Sequence, residues 1–270
     1  TLEEALENID IGGPTMLRAA AKNHPSVTVV VDPADYGWVA EKLSGAGLTP
    51  EDRRNLAAKA FHHVASYDTA VAAYLSATVG ESESLPENLK ISLVQTASLR
   101  YGENPHQSGA LYVAEGVTSG GVAGARQLHG RELSYNNLMD ADAAWRVVSD
   151  FPDTTAVVIK HANPCGLASH PQQLNAYQNA FEGDTVSAFG GIVGFNRTLD
   201  AATAEAMAPI FYEVVVAPDY APEALEILKK KRNLRILAVD AVVQSGQTPN
   251  YDLRVITGGI LVQHPDAIPE

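Results

Sequence analysis

Four short apolar runs, Ala156 to Ile159, Ile192 to Phe195, Val214 to Ala217 and Ile236 to Val239, most constrain how this 270-residue chain can fold. Each reads as a buried strand rather than a helix, being short and rich in β-branched residues. Stretches with helical character, such as Asp140 to Val148 and Pro171 to Phe181, alternate with them. Further strands are expected at Ile91 to Val94, Ala110 to Val113 and Leu253 to Val262. Strands alternating with helices predict an α/β fold with a mixed sheet.

The first part of the chain reads differently. Asp10 to His24 joins a Gly-Gly-Pro turn to a strong helix former, with Pro14 suited to the first helical position. Val27 to Val31 has the pattern of a short strand. Asp32-Pro33 reads as an N-cap and helix start, and Gly45 as the stop. From Thr49 a longer helix is expected, its apolar residues Leu56, Ala60, Phe61, Val64, Tyr67, Val71, Tyr74 and Leu75 stepping by three and four. Gly80 to Asn88 is polar, acidic and interrupted by Pro, as a linker would be. The length favours two domains, so the expected division is 1–79, a linker at 80–90, and 91–270.

Composition narrows the function. The chain is 46% apolar and 19% charged, as soluble globular proteins are. A net charge of -13 argues against a protein that coats nucleic acid or an acidic membrane, yet leaves room for a small phosphorylated ligand in a local basic pocket. One cysteine, Cys165, precludes an intramolecular disulfide and points to a reducing, cytoplasmic setting. No apolar run approaches the ~18 residues that span a bilayer. The acidic N-terminus has no signal-peptide character. It also lacks an initiator Met and opens inside what reads as a helix, so a fragment is expected.

Five segments concentrate chemistry. Ile159 to Gly166 sets Lys160 and His161 where a strand should end, and open α/β sheets bind ligands outside the carboxyl ends of their strands. A base that titrates near neutrality beside a fixed cation suits proton transfer. The following Asn-Pro-Cys-Gly is expected to turn the backbone sharply. In Leu99 to Gln107, Arg100 can fork onto a phosphate or carboxylate, Tyr101 can stack on a ring and His106 can move a proton. The alternative is a loop whose side chains bond its own backbone. In Leu133 to Asp142, Asn136 and Asn137 can read an amide or cap the next helix. Ser187 to Gly194 has paired glycines that admit a ligand or another backbone, or make a tight turn, but it is not a dinucleotide fingerprint. Asp10 to Lys22 can hold a phosphorylated ligand near a helix start, or Lys22 can be a solvated surface lysine.

Two further signals are weaker. Lys229 to Arg232 reads as a solvated face or a helix C-terminus. His161 with Pro164-Cys165 invites comparison with zinc deaminases, but Asn163 stands where they need Glu and no second Cys exists. The other histidines lack ligand spacing, so no metal is expected.

Leu99 to Gln107, Ile159 to Gly166 and Ser187 to Gly191, in that order and preceded by Asp10 to His24, resemble the bifunctional purine-biosynthesis family that joins AICAR transformylase to IMP cyclohydrolase. The resemblance covers essentially the whole chain, although that family's chains are roughly twice as long. It implies the end of a methylglyoxal-synthase-like domain followed by the first half of a cytidine-deaminase-like transformylase domain. It also implies formyl transfer from the cosubstrate 10-formyltetrahydrofolate to AICAR, giving FAICAR, then cyclisation to IMP with loss of water, without a metal. By resemblance His161 is the proton acceptor and Lys160 the cation that stabilises the transition state. Arg100 and Tyr101 match a nucleotide-binding pair, with His106 in the same loop. Asn137 matches an amide-reading residue, Gly190 lines the nucleotide site, and Glu213 falls at an acidic ligand. For cyclisation, Lys22 matches the proton-transfer lysine, and Asp10 and Ile11 touch the nucleotide. The family also implies a homodimer whose transformylase sites are shared between subunits. The alternative is a catalytically incomplete nucleotide-binding or dimer-assembly fragment.

Overall fold

Helices dominate Thr1–Ser92, the first of two compact units in the computed structural model; the second is Leu93–Glu270. The structure describes residues 1–77, 85–114, 120–240 and 251–265. The expected linker at 80–90 therefore lies partly outside the described residues.

In the first unit, α1 (Leu2–Asn8) is opened by a capping box between Thr1 and Glu4. α2 (Gly12–Lys22) begins before Pro14, which sits third in the helix instead of first. Its missing N–H still falls within the turn that lacks intrahelical acceptors. A short 3-10 turn at Pro33–Asp35 leads into α3 (Tyr36–Ser44), which stops at Gly45 as expected. α4 (Pro50–Ala77) starts with Thr49 and Asp52 exchanging backbone-to-side-chain bonds of 2.9 and 3.0 Å. Its apolar stripe is buried over the first half, at Leu56, Ala57, Ala60 and Val64, whereas Phe61 and Tyr74 are exposed.

Val27 to Val31 is extended but has no ladder partner among the described residues, contrary to the expected strand. The alternation that suggested a strand is real. Val29 and Val31 pack with Ala21, Ala57 and Ala60, while Val30 packs with Val39, Leu48 and Leu56. Here helices cover both sides of an extended segment that pairs with no strand.

The second unit begins with an antiparallel hairpin of β1 (Leu93–Leu99) and β2 (Gly109–Ala114). β1 reaches well beyond the expected Ile91 to Val94, because its second half, Thr96 to Ser98, is small and mostly polar and carries no apolar run. β3 (Arg126–His129) was not foreseen either; it is an edge strand without an apolar pattern. After it come α5 (Tyr135–Ser149), β4 (Thr155–Lys160), β5 (Asn163–Ser169), α6 (Gln173–Glu182), β6 (Ile192–Phe195), α7 (Ala201–Met207), β7 (Val214–Ala217), α8 (Pro222–Lys229) and β8 (Arg235–Ala238). β9 (Asp252–Ile256) and β10 (Gly259–Gln263) form a hairpin where one strand was expected. Gly258, at φ +83°, makes the turn that splits it.

Six strands form one mixed sheet in the order β3-β8-β7-β6-β4-β5. β6, β7 and β8 are parallel, while β3 joins β8, β4 joins β6 and β5 joins β4 antiparallel. Successive strand residues point to opposite faces. Val158, Val193, Val215 and Ile236 pack under α6, α7 and α8; Val157, Ile192, Val214, Val216 and Leu237 pack under α5. Each such buried aliphatic side chain contributes roughly 1.5–3 kcal/mol. Covering both faces explains why the strands read as continuous apolar runs.

The antiparallel β4 reverses one expectation. Ile159 near its carboxyl end pairs with Ile192 at the start of β6, so Lys160 and His161 lie beside the amino ends of β6, β7 and β8. The carboxyl-end rule applies to a parallel neighbour and fails here. At the other end of the sheet an open cavity of about 490 Å³ is lined by Thr154, Gln173, Arg197 and Asp200 among others, and by none of the candidate residues.

Candidate functional site

The Lys160–His161 segment is a two-residue hairpin turn. Lys160 pairs with Asn163, and the residues between them, His161 and Ala162, both have positive φ, 53° and 58°. That is the type I′ geometry favoured by strand twist. The sharp turn thus falls on His161-Ala162 and not on Asn-Pro-Cys-Gly, which is the start of β5. Pro164 is tolerated because β5 is the sheet's last strand, and Cys165 is the extra residue of a bulge between the Ile159–Pro164 and Val158–Gly166 pairs. Gly166 is needed for space: a Cβ there would lie 2.1 Å from the Ala180 carbonyl oxygen of α6.

Lys160 Nζ donates to the Phe189 carbonyl oxygen at 3.0 Å, which ties the turn to the Ser187 to Gly194 segment. There Asp184 accepts from the backbone N–H of Val186 and Ser187. The Ser187 hydroxyl, those N–H groups and nearby Lys160 hold the Asp184 carboxyl below its usual range. Gly190 adopts φ +76° and donates to the Phe211 carbonyl at 2.8 Å. Gly191 lets the Ile159 carbonyl approach, since a Cβ would lie 2.7 Å from it. The Phe189 and Phe211 rings, both exposed, stand 5.3 Å apart beside this turn.

Glu213 continues the rim. Its N–H donates to the Gly191 carbonyl, and its carboxylate accepts from Arg235 at 2.7 Å. Arg235 also donates to the Glu132 carbonyl, just ahead of α5. At the head of α5, Ser134 and Asn137 form a reciprocal cap in which Asn137 Oδ1 accepts from the Ser134 N–H. The capping use of this motif is therefore real, and reading of a ligand would fall to the Asn137 Nδ2. Asn136 donates to the Glu103 carbonyl, docking the Leu99 to Gln107 loop on α5. Asp140 accepts the Ala162 N–H at 2.7 Å, returning to the hairpin turn. Four of the chemistry-bearing segments, joined by Glu213 and Arg235, thus meet along one end of the sheet.

Within the Leu99 to Gln107 loop the self-bonded reading holds for part of the segment. Asn104 and Gln107 bond the loop's own backbone and each other. Arg100 lies over the Tyr101 ring at 5.2 Å, and His106 is exposed. Asp140, Arg235 and Asn163 join this arrangement without having been expected as candidates. Asp140 had a signal: it is three and four residues beyond Asn137 and Asn136, hence on the same helix face.

In the first unit, Asp10 accepts from the Gly13 N–H at 3.0 Å and donates its own N–H to the Tyr67 hydroxyl. Ile11 is 72% exposed, and Lys22 is exposed in the last turn of α2. The 11 residues of α2 separate Asp10 and Ile11 from Lys22 by roughly 16 Å. The described structure does not bring them together.

Lys229 and Lys230 end α8, as the helix C-terminus reading expects, while Lys231 is only partly solvated. Its ammonium donates to the Met207 and Ile210 carbonyls at the end of α7, and burial lowers its pKa. Burial, with Asp184 adding to it and Lys160 opposing, pushes the Cys165 thiol up. Among the described residues no group of three or more His, Cys, Asp or Glu side chains is placed to hold a metal ion, and no helix is long and apolar enough to cross a membrane.

The model of the AICARFT/IMPCHase bienzyme family matches residues 20–270. Three bacterial proteins, each named bifunctional purine biosynthesis protein PurH, are similar along this chain. That of Listeria monocytogenes serotype 4b (strain CLIP80459) is 48% identical over 271 residues, covering 100% of this chain and 52% of its own. That of Bacillus subtilis (strain 168) is 48% identical over 267 residues, 98% of this chain and 51% of its own. That of Streptococcus pneumoniae serotype 19F (strain G54) is 50% identical over 273 residues, 100% of this chain and 53% of its own. The chain spans about half the length of these relatives. A family match over nearly the whole sequence, with identity near one half, leaves one conclusion: the chain belongs to the AICARFT/IMPCHase bienzyme family.

Proposed function

We propose that this chain contributes to formyl transfer from 10-formyltetrahydrofolate to AICAR, giving FAICAR, and to the cyclisation of FAICAR to IMP with loss of water. The observation that supports it best is the convergence of Lys160, His161, Gly190 and Glu213 at one end of the sheet, with the Arg100 loop docked on α5 alongside. The family's activities, suggested by relatives named for purine biosynthesis, give that convergence a substrate.

In this reading the exocyclic amine of AICAR attacks the formyl carbon, and His161 takes the proton the amine must lose. The formyl oxygen gains negative charge, which Lys160 offsets. An ammonium has three N–H donors, so the bond to Phe189 leaves donors for that oxygen. The formyl carbon's bond to the folate nitrogen then breaks, and that nitrogen takes up a proton. Arg100 binds the phosphate, Tyr101 and His106 complete that loop's contacts, Asn137 Nδ2 reads the carboxamide, and Gly190 and Glu213 border the ribonucleotide. The exposed Phe189 and Phe211 rings offer apolar surface for a flat cosubstrate. Lys22 at one end of α2 and Asp10 and Ile11 at the other serve cyclisation without forming one cluster.

We assign the two units to the end of a methylglyoxal-synthase-like domain (1–79), a linker (80–90) and the first half of a cytidine-deaminase-like domain (91–270). A cytoplasmic homodimer with shared transformylase sites belongs to the same reading. His161→Ala is expected to abolish formyl transfer while AICAR affinity stays within about tenfold, ~1.4 kcal/mol. Retained transfer would overturn the assignment. A second reading is a nucleotide-binding or dimer-assembly module without turnover. Binding of AICAR with no transfer by the wild-type chain would select it.

A further inference from the structure

We infer that Asp140 is the positioning residue of the Lys160–His161 pair, its carboxylate holding the hairpin turn that presents both. The assignment of formyl transfer to the pair rests on the function proposed above; the way the turn is held does not. His161 and Ala162 are the non-glycine residues with positive φ among those described. This backbone region is disfavoured for L-residues because Cβ crowds the carbonyl, and Asn-Gly is the usual solution. Such a turn persists only where its surroundings over-determine it.

Three contacts do so. Asp140 Oδ1 accepts the Ala162 N–H at 2.7 Å, Asn163 Nδ2 donates to the His161 carbonyl at 2.8 Å, and Lys160 Nζ donates to the Phe189 carbonyl at 3.0 Å. Asn163 belongs to the same hairpin and moves with it. Lys160 is itself one of the groups to be placed. Asp140 alone of the three anchors the turn from a separate element without being a reacting group. Its helix is a firm support: Ala141, Ala144 and Val148 are fully buried against the sheet, and the Ser134–Asn137 cap fixes the helix start. Asp140 therefore acts through the backbone of residue 162.

In the purified protein, Asp140→Ala is expected to speed hydrogen exchange of the Ala162 amide at least about tenfold. It should also lower kcat for formyl transfer about 10–100-fold while KM for AICAR changes less than about threefold. Asp140→Asn keeps an acceptor oxygen in place and should retain slow exchange and a kcat within about fivefold of wild type. A merely structural role would not separate kcat from KM or be rescued by Asn. Unchanged Ala162 exchange in Asp140→Ala overturns the inference, as does an Asp140→Asn variant as impaired as Asp140→Ala. If Asp140→Ala does not fold, Asp140→Ser, too short to reach the amide, replaces it with the same readouts. If the wild-type protein transfers no formyl group, the proposed function fails, while amide exchange still decides whether Asp140 holds the turn.

Discussion

The Glu213 carboxylate and the Arg235 guanidinium meet at 2.7 Å at the amino ends of neighbouring parallel strands. Arg235 is only 12% exposed and Glu213 39%, so the pair is half sheltered from water. Arg235 also holds the Glu132 carbonyl ahead of α5, so two segments depend on one side chain. Arg235→Ala is expected to cost about 1–3 kcal/mol, less than a fully buried pair because Glu213 can rehydrate. Urea unfolding midpoints measure this. A loss below ~0.5 kcal/mol would mean the pair is ornamental to stability.

Two glycines separate space from backbone conformation. Gly166→Ala forces a Cβ onto the Ala180 carbonyl and should cost about 3 kcal/mol. Gly190→Ala meets only the Phe211 ring at 3.7 Å, but must hold φ +76°, for about 1–2 kcal/mol. Thermal unfolding of both variants should rank Gly166→Ala as the more damaging.

Ala162→Gly should stabilise the protein by up to about 1 kcal/mol, because glycine adopts the positive φ without strain and its greater freedom when unfolded only partly offsets the gain. Denaturant titration tests this, and a destabilised variant would show that the turn is not strained.

Stability should fall at alkaline pH in step with tyrosine ionisation. Burial raises the hydroxyl pKa of Tyr177, Tyr212 and Tyr220, and the first two share a 3.0 Å bond. Their folded pKa values lie above the unfolded value of 10, so the unfolded chain loses these protons first. The resulting stability is complete below pH ~10 and declines above it, by at most ~1.4 kcal/mol per pH unit for each tyrosine. Of the ten tyrosines, these three should ionise only as the protein unfolds. Absorbance at alkaline pH recorded with circular dichroism would show the two changes together. Early titration of all ten would contradict it.

Most of the sheet was legible because its strands are buried on both faces and their apolar runs declare themselves. β3 and the second half of β1 were not, being exposed strands of polar residues whose only signature is a partner elsewhere in the chain. Val27 to Val31 shows the converse, a strand pattern satisfied by helices. The candidates Lys160 and Arg100 and the glycine pair at Gly190 stood out locally, whereas Glu213 came only from the family resemblance. Their convergence at the amino ends did not, since it depends on β4 running against β6, which no local motif records. Gly-Gly-Pro and Lys22 looked like one constellation in sequence, yet a whole helix holds them apart.

The Cys165 bulge beside Pro164 has a further consequence at the margin of the sheet. β5 is a terminal strand, and terminal strands invite a foreign chain to extend the ladder. Pro164 offers no N–H and the bulge breaks the spacing that an incoming strand would need. The residues that bring the hairpin turn back to the sheet therefore also make that stretch of margin a poor template for self-association. Templated growth along β5 would be confined to its Leu167 to Ser169 end.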